Sequence, residues 1–475
     1  MTNVFIIYDL TFLILFTLFV ILFLYRRRKN LQRQGLLYLY RTKIGIKFID
    51  LFTKKYSKIL KSLEYIVVFS GYILMISVVW LLAKVAWFYL TSPVVAKALK
   101  VPVLIPLIPY LPDIFKIDFL PSFNFTYWII IIALIAIPHE FAHGIFARLH
   151  KVKIHSTGFG FLGPFLAAFV EQDDKQMSKI KKFPQLSILA AGTFANVLTT
   201  IVFGIIFWLF FISFFVPAGV NFNAYATSAI NISSIDKVNG ISITDVSQIP
   251  PLLNGTYSEI IIDETLYFAN SEALKTAIEK RIYGVQVFDN SPAYQSKLEG
   301  AITEINGEKI TSYEKLNETI QKHSPGDKVT IKTFYQESVR ENEIEERNYN
   351  ITLGERDGRT FLGIGKIPPQ TSGLMGLFYN LISNIKDPFI FYESKLGSFG
   401  WFIYYFLWWT VLICVSVAMV NMLPVGIFDG GRFFYLTVWG LTGSEKIGKK
   451  AFAASTWIIL LMILAMMIKW ALIFT

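Results

Sequence analysis

Residues 127–147 read Tyr127-Trp128-Ile129-Ile130-Ile131-Ile132-Ala133-Leu134-Ile135-Ala136-Ile137-Pro138-His139-Glu140-Phe141-Ala142-His143-Gly144-Ile145-Phe146-Ala147. About 20 apolar residues in a helix cross about 30 Å of hydrocarbon, so this run reads as a membrane span. Within it, residues four apart lie about 40° apart around the helix and nearly one turn along it, which lets His139 and His143 grip one metal ion. Glu140 stands about 100° from His139 and about 60° from His143, where it can take a proton from water at the metal. A carboxylate at mid-membrane costs about 2.5–3.5 kcal/mol on insertion scales, so such a cluster marks an ion, proton or catalytic site rather than an incidental polar patch. Pro138 cannot donate to the Leu134 carbonyl and should bend the helix where the motif begins.

Composition agrees with a membrane setting. The 475 residues are 54% hydrophobic with mean hydropathy +0.49, too apolar for a soluble globule. Six runs long enough to span fall at 5–25, 65–89, 127–149, 186–216, 401–423 and 452–474. The first is not a cleavable signal peptide, because Arg26-Arg27-Arg28-Lys29 follows its apolar run instead of preceding it.

Orientation follows the basic residues. Residues 26–61 carry twelve Lys and Arg against one acid, Asp50, and are expected to be cytoplasmic. Six spans threaded from there put both termini outside the cytoplasm, with 148–185 and the loop holding Arg432, Lys446, Lys449 and Lys450 inside. Five sequons, at Asn124, Asn231, Asn254, Asn317 and Asn350, all fall on the expected outer side. The net charge of +11 is concentrated in the inner loops and faces anionic lipid; nucleic-acid binding is not implied. Cys414 is the single cysteine, so no intrachain disulfide exists.

Four regions follow: 1–125, two spans with a basic cytoplasmic loop; 126–216, the first half of a catalytic membrane core; 217–370, a polar extracytoplasmic insert; and 371–475, an amphipathic helix and the second half of the core. In the insert, the succession from Asn290-Ser291-Pro292-Ala293 through Ile302 to Ile310 and on to Val329–Thr333 resembles a PDZ domain, a module that binds peptides or chain ends by strand addition. Residues 235–244 echo 302–311 around an Asn-Gly pair, which reads equally as a second partial copy or as a common hairpin turn. Leu374, Leu377, Phe378, Leu381, Ile382 and Ile385 have the spacing of an amphipathic surface helix. Residues 155–171 are apolar, Gly-rich and too short to cross, and predict a re-entrant loop or β-hairpin beside the site.

Two histidines do not complete a catalytic zinc site, which takes three protein ligands. Leu149 stands where a metzincin needs histidine, and His150 lies two turns beyond His143. His155, Glu171 and Asp429 remain as third ligands, the last in a Pro- and Gly-broken segment on the same side as His143.

Taken together, His139 to His143 in one span and Asn421-Met422-Leu423-Pro424-Val425-Gly426-Ile427-Phe428-Asp429-Gly430-Gly431 in a later one resemble the site-2 protease family of intramembrane zinc metalloproteases. The resemblance implies one zinc ion on His139, His143 and Asp429, Glu140 as general base, and Asn421 at the substrate backbone or oxyanion. Ala191-Gly192-Thr193-Phe194-Ala195-Asn196 is similar to the family's GxxxN signature, with Thr193 where many members have proline, and implies a substrate contact for Asn196. It implies further a single-pass membrane substrate cut in or near its transmembrane segment, as the second step of regulated intramembrane proteolysis. A peptide or chain terminus would sit at the PDZ-like insert, and the active site would face the cytoplasm. The sequons and the lack of Cys- or Ser-rich inserts point to an archaeal cell membrane. Two rivals are a prenyl-protein type metallopeptidase with Glu171 as third ligand and a non-catalytic PDZ-bearing scaffold. No family motif covers the first two spans.

Overall fold

The computed structural model describes residues 2–34, 37–92, 106–115, 117, 120–162, 165–336, 345–369, 380, 383 and 385–473. It divides into two compact units, Met1–Phe210 with Trp401–Thr475, and Phe211–Gly400.

The first unit is built on six helices long and apolar enough to cross a membrane: α1 (Thr2–Arg27), α2 (Ile46–Thr91), α3 (Phe125–Leu149), α4 (Lys182–Phe214), α7 (Gly397–Val420) and α9 (Glu445–Ile473). Ile14, Leu22, Ile76, Trp87, Ile205, Trp457 and Leu464 are exposed on them, an apolar outer surface that fits lipid as the solvent. This is a polytopic membrane protein. Inside, Val67, Val68, Ile188, Ala190, Met422 and Phe433 pack as one cluster around the site.

The described part of the basic segment after α1 holds regular structure. It forms strands β1 (Leu31–Gln34) and β2 (Leu37–Thr42), and then the start of α2 at Ile46. Forty-six residues make a helix of about 69 Å, over twice the hydrocarbon thickness, so α2 extends far beyond any single crossing. Its buried positions Ile49, Thr53, Leu60, Glu64, Val67 and Gly71 keep helical spacing through a kink at Tyr56. The expected loop near Arg432 is likewise helical: Arg432 lies in α8 (Asp429–Thr442), while Lys446, Lys449 and Lys450 lie in α9.

Strands β3 (Ile154–Leu162) and β4 (Phe165–Gln172) pair antiparallel and join β1 and β2 in an antiparallel sheet of order β1-β2-β3-β4. Arg41 of β2 pairs with Glu171 of β4 at 2.9 Å, tying the two strand pairs together. Strand β4 is left as the edge facing α3.

The second unit holds two six-stranded antiparallel sheets, each with a helix. One contains β6 (Thr227–Asn231), β7 (Lys237–Val238), β8 (Ile241–Ser242), β9 (Tyr257–Ile262), β10 (Thr265–Asn270) and β11 (Gly284–Asp289), in the order β6-β11-β10-β9-β7-β8, with helix α5 (Ser271–Glu279) over Val238, Ile260, Ala269 and Val287. The other contains β5 (Phe215–Val220), β12 (Ala301–Ile305), β14 (Lys328–Tyr335), β15 (Glu345–Thr352) and β16 (Ile390–Ser394), in the order β15-β14-β12-β5-β16, with β13 (Glu308–Lys309) on β12. Helix α6 (Tyr313–Gln321) places Leu316 and Ile320 on its core.

The two Asn-Gly segments are superimposable in their bonding. Asn239 and Gly240 have φ +49 and +81, and Asn306 and Gly307 have φ +50 and +81, the left-handed pair of a type I′ turn. Each asparagine N–H donates to a neighbouring strand, to Glu259 O at 2.8 Å and Thr330 O at 2.9 Å. Those same residues donate back to the asparagine Oδ1, at 2.9 and 2.8 Å. The chain beyond the turns differs, entering 3₁₀ turns in one lobe and α6 in the other. Among the sequons, Asn124 is only 7% exposed at the start of α3, so the folded chain presents no glycan acceptor there. The expected amphipathic helix at 374–385 falls mostly outside the described residues.

Candidate metal centre

The site is assembled by α3, α4 and the segment that joins α7 to α8. His139 and His143, one turn apart on α3, are both buried, with their Nε2 atoms 3.1 Å apart. Asp429 is the first residue of α8, after a stretch that breaks at Pro424 and folds back so that Gly430 N–H donates to the Asn421 carbonyl at 2.8 Å. That turn brings Asp429 Oδ2 to 3.5 Å from His139 Nε2 and 3.2 Å from His143 Nε2. Among the described residues these three form the one metal-competent cluster of His, Cys, Asp or Glu.

The donor set fits zinc. Zinc–ligand bonds of about 2.0–2.1 Å in a tetrahedron put ligand atoms about 3.4 Å apart, and the three separations here are 3.1, 3.2 and 3.5 Å. The far side of each ring agrees. His143 Nδ1 lies 2.7 Å from the Ile188 carbonyl, which can only accept, so this nitrogen carries the proton and Nε2 keeps its lone pair for a metal. His139 Nδ1 lies 3.0 Å from the side-chain amide of Asn196, which is fully buried. Asn196 Oδ1 is placed without a partner, and turning the amide over lets that oxygen accept the Nδ1 proton, giving His139 the same tautomer.

Helix α4 can supply both contacts only because it comes very close. A Cβ on Gly192 would lie 2.3 Å from His143 Nε2 and 2.6 Å from His139 Nε2, so no larger residue fits beside the ligand atoms. Glu140 is half-buried beside the cluster, and its Oε2 accepts from the Val170 N–H of β4 at 3.0 Å. Because Val170 points its N–H away from β3, the alternation of an antiparallel ladder turns the N–H and C=O of Ala168 and Leu166 to the same outer edge.

The other candidate ligands are engaged elsewhere. Glu171 accepts from Ser156 Oγ at 2.5 Å and pairs with Arg41. His155 faces Asp173 at 3.4 Å, and His150 faces Glu64 at 2.8 Å. Asn421 is half-buried, its backbone joined to Gly430 next to Asp429. Asn196, for which the resemblance implies a substrate contact, lies against the His139 ring. The Ile188 carbonyl and the Val170 amide were missed because backbone groups leave no residue signature, whereas Gly192 was visible in the Gly-x-x-x-Asn spacing.

A family model described as Peptidase family M50 matches residues 127–466. The chain is also similar to a protein named Zinc metalloprotease RasP from Shouchella clausii (strain KSM-K16), 23% identical over 203 residues that make up 37% of this chain and 48% of the relative. The chain thus spans about half the length of the curated relative it matches.

Proposed function

The chain belongs to peptidase family M50, the site-2 protease family, whose members are zinc-dependent, and from that premise we propose that it is an intramembrane zinc endopeptidase. It hydrolyses a peptide bond in or near the transmembrane segment of a single-pass membrane protein, as the second step of regulated intramembrane proteolysis. The observation that carries this reading is the tetrahedral spacing of His139, His143 and Asp429 with Glu140 beside them.

His139, His143 and Asp429 would hold the zinc ion, which when bound would supply Lewis acidity for activating water and polarising a carbonyl. Glu140 takes up the proton and returns it to the leaving amine. Asn196 and the Ile188 carbonyl hold the two imidazoles in the ligand tautomer. Asn421, beside Asp429, contacts the substrate backbone or the oxyanion.

A helical substrate hides its peptide bonds, so it must unwind locally. The outer edge of β4, with backbone groups at Leu166 and Ala168 turned outward, supports a role in receiving the unwound strand. The basic residues of 26–61 and 148–182 favour a cytoplasmic active site and extracytoplasmic termini. The second unit then stands outside the cytoplasm, and its repeated Asn-Gly turns support two PDZ-like modules that filter bulky ectodomains or read a tail left by an earlier cut.

The test compares purified wild type, Glu140→Gln and Asp429→Ala for bound zinc and for cleavage of a membrane-anchored substrate. Glu140→Gln is expected to keep zinc and lose cleavage, and Asp429→Ala to lose both. Full zinc in Asp429→Ala, or cleavage by Glu140→Gln, overturns the assignment.

A further inference from the structure

The family match begins at residue 127, yet the helix that carries the metal ligands is held from outside it. Asp9 lies near the start of the apolar run of α1 and is 2% exposed. Its carboxylate accepts from Phe125 N–H at 2.8 Å, from Thr126 N–H at 2.8 Å, from Thr126 Oγ1 at 2.5 Å and from the Tyr110 hydroxyl. Phe125 and Thr126 open α3, whose N-cap residue, Asn124, makes no side-chain capping bond. Phe12 and Phe16 of α1 pack on the Phe125 ring, each with centroids 5.5 Å apart, and fix the approach.

An anionic group at the positive end of a buried helix satisfies N–H groups that neither the helix nor water can reach. Here the cap comes from another span. The other end of α3 is gripped by α2, where Arg148 meets Asp50 at 2.8 Å, His150 meets Glu64 at 2.8 Å, and Thr53 Oγ1 donates to Ile145 O at 3.3 Å. Between the two grips, Pro138 leaves the helix one hydrogen bond short directly before His139. A rod weakened there takes its height and rotation from its ends, and Phe125 lies fourteen residues, about 21 Å, from His139.

We propose that Asp9 is a positioning residue for hydrolysis: by capping α3 from the first span, it sets where His139, Glu140 and His143 stand. The proposal rests on the endopeptidase reading above.

The experiment uses the full chain in liposomes with zinc, as wild type, Asp9→Ala, Asp9→Asn and Thr126→Val. Hydrogen exchange along α3, zinc content, and kcat and KM on a membrane-anchored substrate are measured for each. Asp9→Ala is expected to exchange faster at 125–128 and at 139–147, with zinc retained, KM within twofold and kcat at least tenfold lower. Asp9→Asn should fall between it and wild type, since its carboxamide keeps one acceptor oxygen. Unchanged exchange at 125–128, or faster exchange there with kcat within twofold, overturns the proposal. If Asp9→Ala does not fold, Thr126→Val decides: a kcat loss of threefold or more supports the role and an unchanged kcat refutes it. A wild type that cleaves nothing sinks the endopeptidase reading instead, and exchange at 139–147 in Asp9→Ala still reports whether the cap holds the motif.

Discussion

Replacing Gly192 by alanine adds one methyl group at the most crowded point of the site. The new carbon would fall 2.3 Å from His143 Nε2, 2.6 Å from His139 Nε2 and 2.7 Å from His139 Cε1. Ordinary contact for such atoms begins at about 3.5 Å, so either α4 retreats or the rings turn away, by about 1 Å. Both routes damage the centre. Retreat of α4 carries off the Ile188 carbonyl and the Asn196 amide that orient the rings, and loss of such hydrogen-bond partners weakens metal binding about 10–100-fold. Turning the rings opens a ligand spacing that now suits tetrahedral zinc, and a misplacement of about 1 Å at a reacting centre costs about 100-fold in rate. Gly192→Ala is therefore expected to lose at least 100-fold in kcat/KM and to bind zinc at least tenfold more weakly. Zinc titration against a chromogenic chelator and cleavage of a membrane-anchored substrate measure the two losses, and thermal unfolding in detergent shows whether the helices still assemble. A folded Gly192→Ala with full zinc and kcat/KM within threefold of wild type would mean that α4 does not lie against the ligand nitrogens.

Three further outcomes discriminate among neighbouring residues. Asn196→Ala should lower zinc affinity about 10–100-fold while leaving KM within threefold, whereas a pure substrate contact would raise KM at full zinc occupancy. Glu171→Gln should bind one zinc ion like wild type, because Glu171 is committed to Arg41 and Ser156; loss of zinc in this variant would revive it as a ligand. In the second unit, hydrogen bonds from Lys315 and Lys322 pull the Glu308 carboxyl down to about 2. A depressed folded pKa stabilises above the unfolded value near 4.3 and is lost as pH falls towards about 2. Exchange protection of 308–321, corrected for intrinsic rates, should therefore drop between pH 5 and pH 2 in wild type, and an equal drop in Glu308→Gln would exclude this ion pair as the cause.

Local chemistry made α3 readable. Apolar length announced the spans, the His-Glu-x-x-His spacing placed two ligands and a carboxylate on one helical face, and Gly and Pro around Asp429 marked a broken segment. The choice among His155, Glu171 and Asp429 was a different matter, because each can reach the histidines if the chain between is free to bend. Tertiary partners separate the three: Arg41 and Ser156 engage Glu171, Asp173 faces His155, and the turn closed by the Asn421–Gly430 hydrogen bond gathers Asp429 with the two histidines. The same reason hid the role of the first 126 residues. Charge counting treats 26–61 as a topology signal and is blind to the pairing that makes 31–34 and 37–42 strands of the same sheet as β4. Asp9 in a run of Phe, Leu and Ile is anomalous by burial cost alone, which argues for a buried partner without saying which one. Its partners are backbone N–H groups of a helix more than a hundred residues away, and backbone groups carry no mark in a sequence. What a chain conceals is therefore not spread evenly. Side chains at helical spacing can be read directly, while the main-chain groups that meet them, Ile188 O at His143 and Val170 N–H at Glu140, and the capped N–H pair of α3 appear only when the fold brings them together.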